Sequence, residues 1–204
     1  TSVGKISGIP SIVFNEDVSG FALGDITISN GSATTMITTD SISFTINITP
    51  TAEGIITVDI AADKAFDEAG NGNDAATQFS VTYDSTAPTV AITSTETNPT
   101  SSYTIPVTIT FSELVTSFDI ADILVINGSP QNLIPTGNVY AFTLVPNNDG
   151  PVTVDIAAES CTDLAGNKNT AAVQFSIVFE SGPPSVSISS VLTNPTNSAI
   201  IPVD

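Results

Sequence analysis

The amino-acid sequence predicts an all-β protein made of antiparallel β-sandwiches in tandem. Two observations predict this fold: the chain repeats itself at the length of a domain, and apolar residues alternate with polar ones within each repeat. The run VDIAADKAFDEAGNGN, which begins at Val58, returns as VDIAAESCTDLAGNKN at Val154, 96 residues later. A period this long indicates a compact domain rather than the short unit of a solenoid.

Two further matches set the limits of the repeats. FNEDVSGFALGDITISNGS begins at Phe14 and pairs with FSELVTSFDIADILVINGS at Phe111, 97 residues later, so one short indel separates the two blocks. PTVAITSTETNPTSSYTIPV at Pro88 is matched by PSVSISSVLTNPTNSAIIPV at Pro184. These matches predict a first repeat over residues 1–84 that lacks its first strand, a complete second repeat over 85–180, and the start of a third over 181–204.

The second repeat shows the strands most clearly. Its apolar residues recur at every second position while their neighbours are mostly polar, which is the pattern of a half-buried strand, and no segment has a helical period. The predicted strands cover residues 89–94, 104–112, 122–127, 131–135, 139–145, 151–157 and 172–179. The predicted core contains Ile105, Val107, Ile109, Phe111, Phe142, Val154, Ile156 and Phe175, together with their equivalents in the first repeat.

Turn residues separate these strands. Asn30-Gly31 and Asn127-Gly128 predict tight turns, residues 146–151 (PNNDGP) predict a hairpin loop, and Asn98-Pro99 predicts a break. About seven short strands per repeat is the number found in an immunoglobulin-like sandwich, so each repeat is predicted to have that fold. Proline-bearing linkers at 84–88 and 180–184 leave little slack and predict an extended array.

The charge balance excludes several classes of partner. The chain has 21 acidic residues, three lysines and neither arginine nor histidine, for a formal net charge of −18. Nucleic acids and anionic membrane surfaces carry the same sign of charge and are therefore excluded as partners. There is also no apolar stretch long enough to insert into a bilayer.

The composition also argues against catalysis. Without histidine or arginine, a general base or an activated nucleophile would have to be assembled from carboxylates alone. Cys161 is the single cysteine and its repeat partner is Ala65, so we interpret it as a small packed residue and not as part of a disulfide framework. The sequence predicts a protein that is not an enzyme.

Several segments together resemble the bacterial Ig-like repeat modules of large surface and secreted proteins. The segments are VTITFSE (107–113), FDIADILVING (118–128), VTYDSTAPTV (81–90) and the run over 152–169 around TDLAGNKN. The resemblance implies a spacer in a repetitive adhesin or cell-surface protein, located outside the bacterial cell. It also implies calcium at the joints between repeats, as in some related adhesins. Glu180 and Gly182 replace Asp84 and Thr86 at the second joint.

The acidic and amide residues point to the same cation when they are placed by topology. In a seven-strand sandwich, the loop between the second and third strands and the loop between the sixth and seventh strands lie at the end where the chain enters. Their side chains offer only hard oxygen ligands, as Ca²⁺ requires. The candidate ligands of the second repeat are Asp84, Glu113, Asp119, Asp163, Asn167 and Asn169, and those of the first repeat are Glu16, Asp67, Asn71 and Asn73, with Ala22 in place of Asp119.

Plain turn chemistry is the alternative interpretation of these loops. Gly70 and Gly166 would supply a positive φ, while Asp67 and Asp163 would accept backbone N–H bonds. Asp25 and Asp122 would similarly cap a loop. The spacing does not match an EF-hand loop.

The predicted function is a non-enzymatic stalk of tandem Ig-like sandwiches. An alternative is a head-to-tail filament, in which the predicted strand over 185–190, with Ser185 and Ser190 at its ends, adds to the first repeat of a neighbouring protomer. Val186 and Ile188 would then take the inward positions of Val90 and Ile92. An arbitrary cut through a longer stalk would explain the same ends. A carbohydrate-binding sandwich is the third possibility, although only three tyrosines and no tryptophan are available as aromatic platforms.

Overall fold

A computed structural model describes residues 11–191, 197, 199 and 200 of the chain, and it confirms the all-β prediction. The chain divides into two compact units. Unit 1 comprises Thr1–Pro88 with two later segments, Glu113–Ser117 and Cys161–Thr170. Unit 2 comprises Thr89–Ser112, Phe118–Ser160 and Ala171–Asp204.

The described part of unit 1 contains two three-stranded antiparallel sheets. Its strands are β1 (Ser11–Val13), β2 (Ile26–Ser29), β3 (Gly31–Thr38), β4 (Ser43–Pro50), β5 (Gly54–Ile60) and β6 (Phe79–Tyr83). One sheet has the order β1-β4-β3 and the other β2-β5-β6. Asn30, with φ of 55°, makes the turn between β2 and β3, and this turn carries the chain from one sheet to the other.

Unit 2 repeats this arrangement and adds one strand. Its strands are β7 (Val90–Ser94), β8 (Ile105–Phe111), β9 (Ile123–Ile126), β10 (Gly128–Thr136), β11 (Val139–Pro146), β12 (Gly150–Ile156) and β13 (Phe175–Phe179). The sheets have the orders β10-β11-β8-β7 and β13-β12-β9. The added strand is β7, which pairs with β8 from Val90 opposite Phe111 to Ser94 opposite Val107. These seven strands are those predicted for an immunoglobulin-like sandwich.

In unit 2 the core lies where the alternation predicted it, but in unit 1 the equivalents Ile12 and Phe14 are only half-buried and Phe79 is 42% exposed. Ile105, Val107, Ile109, Phe111 and Val154 are at most 1% exposed in unit 2, and Phe142 and Ile156 are also buried. Each unit also contains three aromatic rings in mutual edge-to-face contact, with centroids 4.9 to 5.8 Å apart. These rings belong to Phe14, Phe21 and Phe44 in unit 1 and to Phe111, Phe118 and Tyr140 in unit 2.

The last strand of unit 2 differs from its prediction. Strand β13 begins at Phe175, whereas the alternation placed its start at residue 172. Val173 is 87% exposed and Phe175 is half-buried, so the deeply buried side chains of this strand are Ile177 and Phe179. The pairing between β12 and β13 stops at Val154 opposite Phe175, although β12 itself continues to Ile156 against β9. Residues 172–174 therefore lie outside the ladder even though the alternating pattern includes them.

The predicted strand over 185–190 does not form in the structure. These residues have no strand geometry, and Val186 and Ile188 are 89% and 79% exposed. The physical reason is that a first strand is stabilised by its neighbour in the sheet, as β7 is by β8. The continuation of this segment over 201–204, where a following strand was predicted to begin, lies outside the described residues.

Two short 3-10 turns precede β2 and β9, over Leu23–Asp25 and Ile120–Asp122. Within the described part of the chain, no helix is sufficiently long and apolar to cross a membrane.

Candidate metal centre

Two equivalent loops carry most of the candidate ligands. We define loop L1 as residues 65–74 and loop L2 as Cys161–Thr170, both of which belong to unit 1. Each loop folds back on itself through an isolated bridge, between Phe66 and Gly72 in L1 and between Thr162 and Lys168 in L2. The sharp reversal requires Gly70 and Gly166, whose φ angles are 88° and 92°.

An aspartate and an asparagine pair closes each reversal. In L2 the Asp163 carboxylate accepts from the backbone N–H and from the side-chain amide of Asn167, both at 2.8 Å. In L1 Asp67 accepts the same two bonds from Asn71 at the same distances. Donation by the Asn71 side chain, and then by its backbone N–H, lowers the pKa of Asp67 below its ordinary value. The turn chemistry expected for these loops is therefore present in both.

A second asparagine holds the base of each loop. The Asn73 side chain accepts from the backbone N–H groups of Lys64 and Ala65, both at 2.8 Å. Asn169 accepts from the Cys161 N–H at 2.9 Å and is only 2% exposed. Both amide oxygens are thus engaged with the backbone, and we assign Asn73 and Asn169 a structural role in the loops.

Three of the predicted ligands come together in unit 1. The carboxylates of Asp84, Glu113 and Asp163 each offer an oxygen, and these oxygens lie within 4.8 Å of one another. We call these three residues the acidic triad. Asp163 is 4% exposed, whereas Asp84 and Glu113 are partly exposed.

The negative charge of the acidic triad affects the pKa of Glu113. Desolvation raises the pKa of this carboxyl above its ordinary value of 4.5, and repulsion from Asp84, Asp163 and Glu53 raises it further. Among the described residues, the Glu113 carboxylate forms no hydrogen bond. The bonds from Asn167 explain why Asp163 is placed in L2. They do not explain why the Glu113 carboxylate lies beside Asp163 and Asp84.

The linker, defined as residues 84–88, is held against L2 by hydrogen bonds at both ends. The Asn167 side chain donates to the Asp84 carbonyl oxygen at 3.1 Å, and the Thr170 N–H donates to the Pro88 carbonyl oxygen at 2.9 Å. Glu53 fixes the linker from the other side, because its carboxylate accepts from the Ser85 N–H at 3.0 Å and from the Ser85 hydroxyl.

Glu53 is a site residue that the sequence reasoning missed. The signal was present: Asp149 occupies the equivalent position and accepts from the Ser181 N–H at 2.9 Å, in the same geometry. Asp84 and Thr86 change between the two linkers, but the serine is kept and its partner remains a carboxylate, Glu53 at one linker and Asp149 at the other. Their persistence at both linkers indicates that this contact sets where each linker leaves its strand.

Asp119 takes a different place from the other candidate ligands. It is the N-cap of the 3-10 turn before β9, where its carboxylate accepts from the Ala121 N–H at 2.7 Å. Asp122 accepts from the Asp119 N–H at 2.8 Å, and Asp25 accepts equivalently from the Ala22 N–H at 2.9 Å. The capping expected for Asp25 and Asp122 is confirmed, and Asp119 belongs to the same capping arrangement.

The ligands predicted in the first repeat lie around an open cleft. Glu16, Asp67, Asn71 and Asn73 line a cleft of about 180 Å³, together with Phe14 and Asp74. Glu16 and Asn71 are exposed, and Asp67 and Asn73 are half-buried. Three carboxylates, those of Glu16, Asp67 and Asp74, line this cleft. Among the described residues, however, the acidic triad is the group of three whose carboxylate oxygens lie within 4.8 Å of one another.

A family model described as "Bacterial Ig-like domain" matches residues 2–83 and 84–179. The chain belongs to this family. It contains two bacterial Ig-like domains in tandem, which confirms the resemblance carried by the repeated segments. None of the curated protein sequences compared with the chain is significantly similar to it.

One solved structure that matches the chain is that of InvD from Yersinia pseudotuberculosis, at 11% sequence identity and a TM-score of 0.40. The alignment covers 97% of this chain and 57% of the InvD chain. The chain therefore spans somewhat more than half the length of that structure.

The donor set of the acidic triad fits a hard divalent cation. All of its ligand atoms are carboxylate oxygens, and one of these carboxylates is buried. Ca²⁺ takes six to eight oxygens in flexible geometry, so three carboxylates and water are a suitable set. The triad would hold the ion between L2, which contains Asp163, and the linker, which contains Asp84.

Proposed function

We propose that these Ig-like domains form a non-enzymatic spacer in an extracellular bacterial surface protein, and that calcium bound by the acidic triad holds the linker in place. The observation that carries the proposal is the meeting of Asp84, Glu113 and Asp163 within 4.8 Å. Membership of the bacterial Ig-like family and the tandem repetition support the spacer role.

A cation would offset an electrostatic cost that the triad otherwise imposes. The raised pKa of Glu113 indicates that its charge is disfavoured beside Asp84 and Asp163. An ion that binds only the folded protein stabilises it by mass action, by about 2.7 kcal/mol at a hundredfold excess over the dissociation constant. Since the linker supplies one ligand and L2 another, the same ion would restrict the linker, which suits a spacer.

Thermal unfolding with calcium and with chelator tests this proposal. We expect calcium to raise the melting temperature by about 10 °C or more, since 1 kcal/mol corresponds to about 4–8 °C in a domain of this size. Asp84→Asn should abolish this gain. Asp67→Asn is the matched control, because it changes the equivalent aspartate of L1 and leaves the triad intact. Identical melting curves with calcium and with chelator in the parent chain would refute the calcium site.

A head-to-tail filament is the second candidate, and the exposed apolar segment near residue 186 favours it. Val186, Ile188 and Val191 are 79% to 89% exposed, and such side chains could take the inward positions of a strand added to another protomer. Sedimentation of the chain and of a variant without residues 184–204 separates the two functions. Assembly that is lost on deletion would support the filament, whereas a monomer at every concentration would leave the spacer.

A further inference from the structure

Loops L1 and L2 have the same internal bonds but different surroundings. The aspartate and asparagine pair has the same two 2.8 Å bonds in both loops. Yet Asp163 and Asn169 are buried, whereas Asp67 and Asn73 are half-buried. Phe111 is fully buried and Phe14, its equivalent, is half-buried. The internal hydrogen bonds cannot account for the difference in burial between L1 and L2, because both loops have them.

The linker accounts for part of this difference. It supplies two acceptors to L2, the carbonyl oxygens of Asp84 and Pro88, which receive the Asn167 amide and the Thr170 N–H. The equivalent donors in L1 are the Asn71 amide and the Asp74 N–H. Among the described residues, Asn71 donates its amide only to Asp67, and the Asp74 N–H makes no hydrogen bond. The cleft lined by Glu16, Asn71 and Asp74 lies beside these donors.

We propose that the cleft beside L1 is a preformed docking site for the linker of another repeat module, an extended segment of the type Asp-Ser-Thr-Ala-Pro. The occupant is identified by the way L2 receives residues 84–88. Its first carbonyl accepts from Asn71, its proline carbonyl accepts from the Asp74 N–H, and its aspartate joins Glu16 and Asp67. The proposal deepens the spacer function, on which it rests, by naming how one module receives the next.

Extension of the chain tests the docking directly. Thr1 is equivalent to Asn98 at the spacing of 97, so a copy of residues 84–97 placed before Thr1 presents the linker in register. A copy of residues 89–97 alone supplies the added strand without the linker and is the matched control. Hydrogen exchange of L1 (65–74) is measured by mass spectrometry in chelator, so that a failure of calcium binding does not affect the result.

We expect the 84–97 extension to slow exchange in L1 by about tenfold relative to the 89–97 extension, as two net hydrogen bonds would. Asn71→Ala should remove most of this protection in the longer chain, while L2 is unchanged. Equal exchange of L1 in the two extended chains would overturn the proposal. Protection that rises with concentration in the unextended chain would also overturn it. The occupant would then be residues 180–184 of a second copy, whose sequence is Glu-Ser-Gly-Pro-Pro and not of the type Asp-Ser-Thr-Ala-Pro.

Discussion

At the scale of single residues, the unusual group is Glu113. Its carboxylate is partly buried beside Asp84 and Asp163, and the described residues around it offer it no hydrogen bond. A glutamine of the same shape would fit this position without the charge. The cost of the charge is therefore measurable, and it should depend on both pH and calcium.

We predict that Glu113→Gln stabilises the chain in chelator at neutral pH and destabilises it relative to the parent in calcium. A carboxyl whose pKa is raised on folding favours the protonated folded state, so its charge costs stability as pH rises above the ordinary value of 4.5. The advantage of Glu113→Gln in chelator should therefore disappear when the pH falls below that value. Thermal melts across pH, with and without calcium, check this. The same sign in chelator and in calcium would contradict it.

The asparagines at the base of L1 and L2 illustrate a different role at the residue scale. Asn73 donates its amide to the carbonyl oxygens of Ala61 and Asp74 at 3.0 and 2.7 Å while its oxygen accepts two backbone N–H bonds. Such a side chain replaces the partners that a loop backbone would otherwise find in water.

We predict that Asn73→Asp destabilises unit 1, because a carboxylate would face the carbonyl oxygens of Ala61 and Asp74 that now accept from the amide. The loss should be about 1–3 kcal/mol, the usual cost of leaving partly buried polar groups unpaired. Urea unfolding measures it. Asn47→Asp, at an exposed position on β4 of the same unit, is the control and should cost less.

At the scale of elements, the two sandwiches differ most at the first strand. In unit 2, β7 pairs with β8 and Phe111 is fully buried. In unit 1, β1 is the edge strand of its described sheet, and Phe14 is half-buried although its aromatic contacts are preserved. The same aromatic cluster is thus enclosed in one domain and partly open in the other.

We predict that Phe111→Ala costs about 3–5 kcal/mol, the usual loss for a fully buried aromatic side chain, and that Phe14→Ala costs clearly less. Both variants remove one ring from a three-ring cluster, so aromatic contacts alone would give equal losses. Denaturant unfolding of each variant distinguishes the contribution of burial. Equal losses would show that the edge position of β1 has no energetic consequence.

At the scale of the whole molecule, charge is the dominant feature. The formal net charge is −18, with only three lysines in the chain. Self-repulsion of this kind destabilises a compact state and is screened by salt over a Debye length of about 8 Å at physiological ionic strength. Two cation effects should therefore be superimposed, one general and one confined to the acidic triad.

We predict that sodium chloride raises the melting temperature by about 5 °C, the shift for roughly 1 kcal/mol in a domain of this size. Calcium chloride at the same ionic strength should raise it further in the parent chain. In Asp84→Asn the two salts should act nearly alike. A larger effect of calcium that persists in Asp84→Asn would place the ion elsewhere on the surface.

The sequence alone predicted part of the candidate site, as Asp84, Glu113 and Asp119 illustrate. The topology of a sandwich was enough to bring Asp84, Glu113 and Asp163 to one place, because it fixes which loops share an end. It could not distinguish Asp119, which caps a 3-10 turn, from a ligand. That distinction depends on the direction of one side chain, which the spacing of residues does not specify.

The sequence by itself determined the repetition, the alternation that buries Ile105 to Phe111, and the turns at Asn30 and Asn127, since these depend on local geometry and on one apolar face. Only the tertiary structure decided that β13 begins at Phe175, that Glu53 holds Ser85, and that L2 is covered while L1 is open. The physical reason is that a strand ends where its ladder of backbone hydrogen bonds ends, and a loop is buried only where another segment lies against it.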